Sequence, residues 1–471
     1  MSASETSLTP TRSLWADLRA AVRGTGADYT RIPLRRAVLL LAVPMVLELL
    51  LESTFAVVDI FFVAKLGASA VATVGLSETY LFLLYSIAMG LATAVTAIVA
   101  RRVGERRGEE AALTAVQAIA LALLASLPFA LAGIVWAREL LQLMGADAWV
   151  LEHGFRYTRW ALGGSAVVLL LFVINAVLRG AGDAAAAMRV LWVANGLNIV
   201  LDPLLIFGLG PVPALGIEGA AIATTLGRGL GVALQLWILV RGSAHLRIGL
   251  AALRWHGPTL LQVERTSLGG IGQMIVAMTA WIFLMRILAS VSTQAVAGAT
   301  IAVRVMMFTL MPAWGLSNAA ATRVGQNLGA GEPARAEAAV WRIGWMTMAY
   351  TLAVSALFFV AHDAVIGLFT DDAAVVAIGG EWLSILAISY FVYGWWMVSV
   401  QAFNGAGDTM TPTWINLVFF WLIQIPLAWL LALPLGWGHT GVFWGVFVSE
   451  TSVGLFTLWL FSRGRWKTAA P

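Results

Sequence analysis

The chain has 471 residues, 60% of them hydrophobic and 11% charged, with a formal net charge of +4 and no cysteine. A soluble globular domain carries about 45–50% apolar and about 25% charged residues, so this composition is that of a membrane protein. It excludes disulfides, thiolate metal sites and thiol catalysis. Basic residues dispersed between apolar stretches also exclude a nucleic-acid-binding patch.

Residues 1–33 are polar, contain no long apolar core and do not read as a cleavable signal peptide. Twelve apolar segments follow, each near the roughly 20 residues that a bilayer requires. They fall at about 36–64, 69–100, 111–135, 155–178, 186–208 and 216–240, then 267–289, 295–321, 336–360, 381–403, 412–434 and 440–462. Pro and Gly are scattered inside them, as is common in membrane helices, and two-residue alternation is absent, so a β-barrel is not expected. A polar, basic linker at 241–266, with His245, His256 and Pro258, separates the two sets of six.

Most Lys and Arg residues lie in one alternate set of connections: Arg12 to Arg36, Arg101 to Arg107, Arg179 and Arg189, Arg241 to Arg265, Arg323 to Arg342, and Arg463 to Lys467. The other set holds Lys65, Arg138, Arg156 and Arg159. By the positive-inside rule both termini are expected in the cytoplasm, which needs an even number of spans.

The second half repeats the first. Gly180-Ala181-Gly182-Asp183 returns 225 residues later as Gly405-Ala406-Gly407-Asp408, and Arg102-Val103-Gly104 returns 221 later as Arg323-Val324-Gly325. Leu143 to Asp147 has an echo in Leu368 to Asp372. Six spans per half make the repeats parallel, related by an axis along the membrane normal. The expected fold is all-α and integral to the membrane. It has an N-terminal tail (1–33), an N-lobe of six helices (34–240), the linker (241–266), a C-lobe of six (267–462) and a C-terminal tail (463–471).

A charge at the bilayer centre costs at least about 2.5–3.5 kcal/mol, so charges within the spans carry the functional expectation. Glu48, Glu52 and Asp59 share roughly one face of the first span, one turn beyond Pro44, which removes a backbone hydrogen bond there. Asn198 and Asp202 are i, i+4 neighbours in the fifth, followed by Pro203. An acid between helices can load and release a proton, and carboxylates with an amide oxygen can equally hold Na⁺. Bland readings stand beside these: Glu48 and Asp59 could be interfacial, and Asp202 with Pro203 could be a helix-end device. Asp183 and Asp408 read as helix caps. Glu78, Arg228, Arg286, Arg304 and Glu450 are near mid-span, where pairing across helices is the default. Gly227/Gly231 and Gly441/Gly445 have the spacing for close helix approach, which is common in Gly-rich membrane chains and carries no functional reading. No phosphate-binding loop or paired metal-ligand histidines occur.

Val58-Asp59-Ile60-Phe61-Phe62-Val63-Ala64-Lys65-Leu66-Gly67 resembles the first-helix signature of the multidrug and toxic compound extrusion (MATE) transporters. Leu178 to Asp183 resembles their fourth-to-fifth helix turn, Asn198 to Gly208 their fifth helix, and Ala402 to Thr409 the matching turn of the second half. The resemblance covers about 33–465. Within the family it is closest to the DinF-like branch, which implies ion coupling by acids matching Asp59 and Asp202 with the amide Asn198. It further implies a pocket amide at Asn175 and a bending proline at Pro44. The NorM-like branch implies acids in the seventh and tenth helices, where this chain has Arg286 and no acid between Trp382 and Phe403. Glu52 and the Ala64-Lys65 pair depart from the family pattern.

The resemblance implies a secondary antiporter of the inner membrane, not an enzyme, which exports organic, cationic compounds in exchange for H⁺ or Na⁺. No cofactor beyond the coupling ion is expected, and the partners are a small organic substrate and the lipid bilayer, with no nucleic acid and a monomeric state. Expected site residues are Asp59, Asn198 and Asp202 for ion coupling, and Glu48, Glu52, Glu78 and Asn175 for the substrate cavity. Pro44 is assigned to bending, and Arg286 and Arg304 to C-lobe cavity charges. A flippase for a lipid-linked or amphiphilic substrate, favoured by those two arginines, is the alternative. A major-facilitator fold, suggested by Arg101 to Arg107, and a membrane enzyme are the remaining rivals.

Overall fold

The computed structural model describes residues 13–208, 210–243 and 246–469. The first twelve residues of the N-terminal tail, including Arg12, His245 of the linker, and residues 470–471 of the C-terminal tail lie outside them. A short amphipathic helix α1 (Leu14–Arg23) precedes the first span. The N-lobe comprises α2 (Leu34–Ala64), α3 (Ala68–Gly104), α4 (Gly108–Leu143), α5 (Phe155–Gly163) with α6 (Ser165–Gly180), α7 (Ala184–Phe207) and α8 (Ile217–Arg241). The C-lobe comprises α9 (Gly257–Val291), α10 (Thr293–Gly329), α11 (Pro333–Gly367) and α12 (Ala373–Ala387) with α13 (Tyr390–Ala406). It closes with α14 (Met410–Asn416), which runs through a π-helical stretch into α15 (Ile425–Ala432), and α16 (Gly438–Ser462). The fourth span of each lobe is thus a broken helix, and α12 and α13 bend by 62°. This gives twelve spans, six per lobe, each segment of the sequence reading meeting one of them.

The repeat is geometric as well as sequential. The interior of α4 is interrupted at Trp136 and that of α11 at Ala361, with similar dihedrals and 225 residues apart. The broken spans part at Gly164 and Ser389, again 225 apart. Neither pair shares a residue type: the N-lobe break lies in Gly163-Gly164-Ser165 and the C-lobe break at Ser389, so the irregularities keep their places in the fold while the local sequence differs.

The lobes meet through two copies of one contact. A Cβ added to Gly90 of α3 would lie 2.5 Å from the Ile271 backbone nitrogen of α9, and one on Gly315 of α10 would lie 2.7 Å from Val46 Cα of α2. Near the face carrying the termini, Gly104 would meet the Gln326 carbonyl at 2.1 Å and Gly329 the Arg101 carbonyl at 2.2 Å. Each pair maps onto its mate by the same shift of 225. Gly104 is therefore the counterpart of Gly329, not of Gly325. The 221-residue echo of Arg-Val-Gly is a similarity displaced by one helical turn, a slip that keeps the same face.

Each lobe has its own apolar core, and α2 packs outside both, in two further clusters. Its first half, Ala37 to Met45, is buried with α10, α11 and α13 of the C-lobe, whereas Val63 packs with N-lobe residues Ala70, Tyr157 and Ile206. Pro44 is buried near this changeover inside an unbroken helix. Asp183 caps α7 through the Ala186 N–H (3.0 Å), and Asp408 accepts from the Thr411 N–H (3.1 Å) and hydroxyl (2.7 Å).

The termini face is sealed by the chain itself. Gln326 donates to the Gly180 carbonyl (3.1 Å), and Thr322 to that of Arg179 (3.3 Å). Arg323 donates to the Tyr29 carbonyl (2.7 Å) and Arg335 to that of Ile32. Burial pushes the Tyr29 phenol up to about 12, so it stays neutral at working pH.

Candidate functional site

A cavity of about 560 Å³ opens in the half of the molecule away from the sealed face. Its walls come from the later half of α2, the first half of α3, the α5–α6 break and α8, with Arg304 of α10 reaching in from the C-lobe. Apolar positions such as Phe55, Val74, Leu81 and Val168 set its shape, and polar groups converge inside: Glu52, Asp59, Glu78, Tyr85, Tyr157, Thr224, Thr225 and Arg228.

Asp59 lines this cavity, and its Oδ1 is buried with no hydrogen-bond partner. Arg228 and Glu78 lie within its electrostatic reach. Glu52, about two turns earlier on α2, is held from two sides. Asn195 of α7 donates to Oε2 (3.0 Å), and the Arg228 guanidinium approaches Oε1 at 3.8 Å. Arg228 also donates to the Tyr85 hydroxyl (3.0 Å) and lies over that ring. Glu78 of α3 and Arg304 of α10 both line the cavity and lie within electrostatic reach of one another across the lobe boundary.

Asp202 is fully buried and Asn198 nearly so. The surrounding groups fix the amide orientation. The Asn198 nitrogen donates to both Asp202 oxygens (2.7 and 3.1 Å), and its oxygen accepts from the Thr224 hydroxyl (3.2 Å) and N–H (3.0 Å). Thr224 is itself on the cavity wall. The pair therefore stands one residue behind the cavity, connected to it through a hydroxyl. Asp59 and Asp202 come from different helices and lie within electrostatic reach of one another. Gly227 of α8 sits against Asn198, where a Cβ would lie 3.1 Å from the Asn198 Cβ, so part of the small-residue motif positions this network.

Two expected cavity residues, Glu48 and Asn175, are not among the lining residues. Glu48 is buried between α2 and α6, accepting from Asn175 (2.6 Å) and pairing with Arg179 at 3.3 Å. Gln235 of α8 donates to Asn175 Oδ1 (3.2 Å). One turn along the same face takes α2 from an open cavity to a closed lobe interior. Arg286 is exposed on α9, five residues from its end at Val291, and is likewise absent from the cavity wall. Its long stem allows the guanidinium to reach an interface, so mid-span pairing is not required. Conversely, Arg228, Tyr85, Tyr157 and Thr224 line the cavity and were not assigned there from the sequence. The available signal was the i, i+4 spacing of Thr224 and Arg228 on one face of α8.

Residues 44–204 and 271–430 match the MatE family model. The chain is 25% identical over 441 residues to the probable multidrug resistance protein NorM of Thermotoga maritima, covering 93% of this chain and 94% of that one. It is 28% identical over 406 residues to a protein of Shewanella oneidensis named FAD transporter, covering 84% and 88%. It superposes with a TM-score of 0.86 on a solved structure described as the outward-facing conformation of a multidrug resistance MATE family transporter of the MOP superfamily. That match is at 25% identity and covers 95% of this chain and 99% of that one. With the family's match falling once in each lobe, and a two-lobed bundle enclosing a polar cavity, the chain belongs to the MatE family of transporters.

Proposed function

We propose that the protein is a multidrug-efflux antiporter of the inner membrane, both termini cytoplasmic, which exports organic cations in exchange for inward H⁺. It acts as a monomer with no cofactor beyond the ion. The observation that carries this reading is Asp59, a carboxyl on the cavity wall with an unpartnered oxygen, backed by Asp202 and Asn198. The cavity holds three carboxyl groups, Glu52, Asp59 and Glu78, against the two guanidinium groups of Arg228 and Arg304. An excess of negative charge in a low-dielectric hollow favours a cationic occupant over an anionic one.

The Asp202 network gives the ion a route to the cavity wall. As drawn by its hydrogen bonds, Asp202 accepts twice from the Asn198 amide, the arrangement of an anion. A proton on Asp202 makes one of its oxygens a donor. That oxygen then gives up its bond from the Asn198 NH₂, which stays on the other oxygen, because the Asn198 carbonyl remains held by the Thr224 hydroxyl and N–H. A proton on Asp59 cancels a charge directly on the wall. Both events weaken the hold on a cation, and α2 can follow by bending at Pro44, where its packing changes from one lobe to the other. The location of these acids in the N-lobe supports the DinF-like assignment.

The test is efflux from proteoliposomes with a pH gradient and a Na⁺ gradient imposed separately. Export driven by the pH gradient alone, abolished in Asp59→Asn, is expected. Export driven by Na⁺ alone would transfer the same site to Na⁺. Unchanged export in both Asp59→Asn and Asp202→Asn would sink the coupling mechanism.

A second reading keeps a specific observation in its favour. Arg228 and Arg304 with Tyr85 and Tyr157 could hold an anionic, ring-bearing or amphiphilic molecule, as the name of the FAD-transporting relative suggests or as a flippase requires. Competition between a labelled organic cation and a flavin nucleotide in the same liposomes separates the two.

A further inference from the structure

At the termini face a groove of about 720 Å³ lies outside the cavity, between the first turns of α4, the linker and the first turns of α9. Arg102, Arg254 and Arg265 line it, with Glu110 as its one acid among the described residues. Arg102 is already engaged, at 2.5 Å from Glu110. Arg254 and Arg265 are exposed and have no ion-pair partner among the described residues. The groove therefore carries two uncompensated positive charges.

The linker is fixed there and does not merely pass by. Gln117 of α4, almost fully buried, donates to the Arg254 carbonyl (2.7 Å) and accepts from the His256 N–H (3.2 Å). This clamp holds the Arg254 backbone beside α4. Two features suit a groove that borders lipid as well as water. The linker turns out Leu250, Leu253 and Trp255, which are 88%, 62% and 66% exposed. From the groove wall, Leu261 begins a stripe that continues as Leu268 and Ile275, all exposed and seven residues apart on one face of α9. A cationic pocket at the end of an apolar stripe matches an anion that carries hydrocarbon chains.

We propose that this groove binds the phosphate headgroup of an anionic phospholipid in the leaflet on the termini side. Arg254 and Arg265 hold the phosphate, and an acyl chain follows Leu261 and Leu268. Basic pockets between spans at this depth recognise such headgroups, each cation near the surface contributing measurably. The bound lipid would touch the N-lobe through α4 and the C-lobe through α9, bridging the lobes beside the sealed face.

The test uses the purified full chain, delipidated in detergent and titrated with phosphatidylglycerol, phosphatidylcholine or inorganic phosphate, with bound lipid counted by native mass spectrometry. Wild type is expected to bind phosphatidylglycerol about tenfold or more tightly than phosphatidylcholine. Arg254→Gln/Arg265→Gln should remove that preference, while the Arg254→Lys/Arg265→Lys variant retains most of it. Arg286→Gln, far from the groove, should leave it intact. Glu110→Gln removes the opposing charge and should tighten phosphatidylglycerol binding several-fold, a readout that does not depend on the arginine variants folding. Equal affinity of wild type for the two lipids, an undiminished preference in the glutamine double variant, or weaker binding in Glu110→Gln would each overturn the proposal. Displacement of the lipid by millimolar inorganic phosphate would overturn the lipid assignment in favour of a free anion.

Discussion

The two lobes share a backbone and differ in their polar chemistry. Kinks, helix breaks and glycine contacts recur at a shift of 225 residues. Under the same shift, Glu52, Asp59 and Glu78 fall on Ala277, Leu284 and Val303. The buried contact between the first and fourth spans is kept but changed in kind. In the N-lobe it is the ion pair of Glu48 with Arg179, and in the C-lobe it is the amide pair of Gln273 with Asn404, at 3.0 Å. Both members are 225 apart from their counterparts. The C-lobe shows that this fold stands without the charges, so their presence in the N-lobe calls for a function beyond stability.

The largest effect should come from the acids that have no C-lobe counterpart. Asp59→Asn is expected to cut gradient-driven efflux by a factor of at least about 100, the scale of a lost proton-transfer group. Placing an acid at the equivalent C-lobe position, Leu284→Asp, should not restore it, because that side chain is buried in apolar packing. Recovery of transport in the double variant would show that the lobes are chemically interchangeable, and the N-lobe acids would lose their distinct role.

The paired buried contacts allow a stability test of the same comparison. Removing one partner of a buried ion pair strands a charge, at a cost of about 3–5 kcal/mol. Stranding a neutral amide costs about 1–3 kcal/mol. Glu48→Ala should therefore lower the unfolding midpoint in detergent more than Gln273→Ala does. The double change Glu48→Gln/Arg179→Asn, which writes the C-lobe pair into the N-lobe, should restore most of the loss. If it does not, the ion pair is needed for more than filling its site.

The repeat, the number of spans and their approximate limits were legible because apolar runs and turn motifs are local signals. Ends were less so. The seventh span read as 267–289 runs from Gly257, since its first turns carry Gln262, Glu264 and Arg265 outside the apolar window. The breaks at Gly164 and Ser389 left no shared residue to read. Asp59 and Glu52 were placed by helical face, but a face gives direction around a helix and not depth along it. The 31 residues of α2 extend about 46 Å, and over that length one stripe passes from lobe interior at Glu48 to open cavity at Asp59. Arg228 was read as a generic mid-span pair because its partners, Glu52 and Tyr85, come from distant parts of the chain.

A smaller effect is expected at the seal. Gly104→Ala would put a methyl group about 2.1 Å from the Gln326 carbonyl, and Gly329→Ala would do the same against Arg101. Overpacking of this kind costs about 1–3 kcal/mol, here against the closed termini face alone. Because the chain has no cysteine, a single Thr322→Cys reporter, buried at the seal, reads the opening by reaction with a water-soluble thiol reagent. Each variant should raise labelling about tenfold, since every 1.4 kcal/mol shifts an equilibrium by that factor. Unequal effects would mean that one copy of the contact bears the closure.

The smallest effect separates the two C-lobe arginines. Arg304 is the C-lobe cation on the cavity wall, within electrostatic reach of Glu78, and Arg286 is exposed near the end of α9. Arg304→Gln leaves Glu78 unopposed across the boundary and adds to the negative excess of the cavity, so apparent affinity for an organic cation should rise a few-fold while that for an anionic dye falls. Arg286→Gln should change neither, and its unfolding midpoint should move by no more than about 0.5 kcal/mol equivalent, as for surface substitutions generally. A cation preference that responds to Arg286 and ignores Arg304 would place the substrate path along the outer surface of α9, and the N-lobe hollow would no longer be the site.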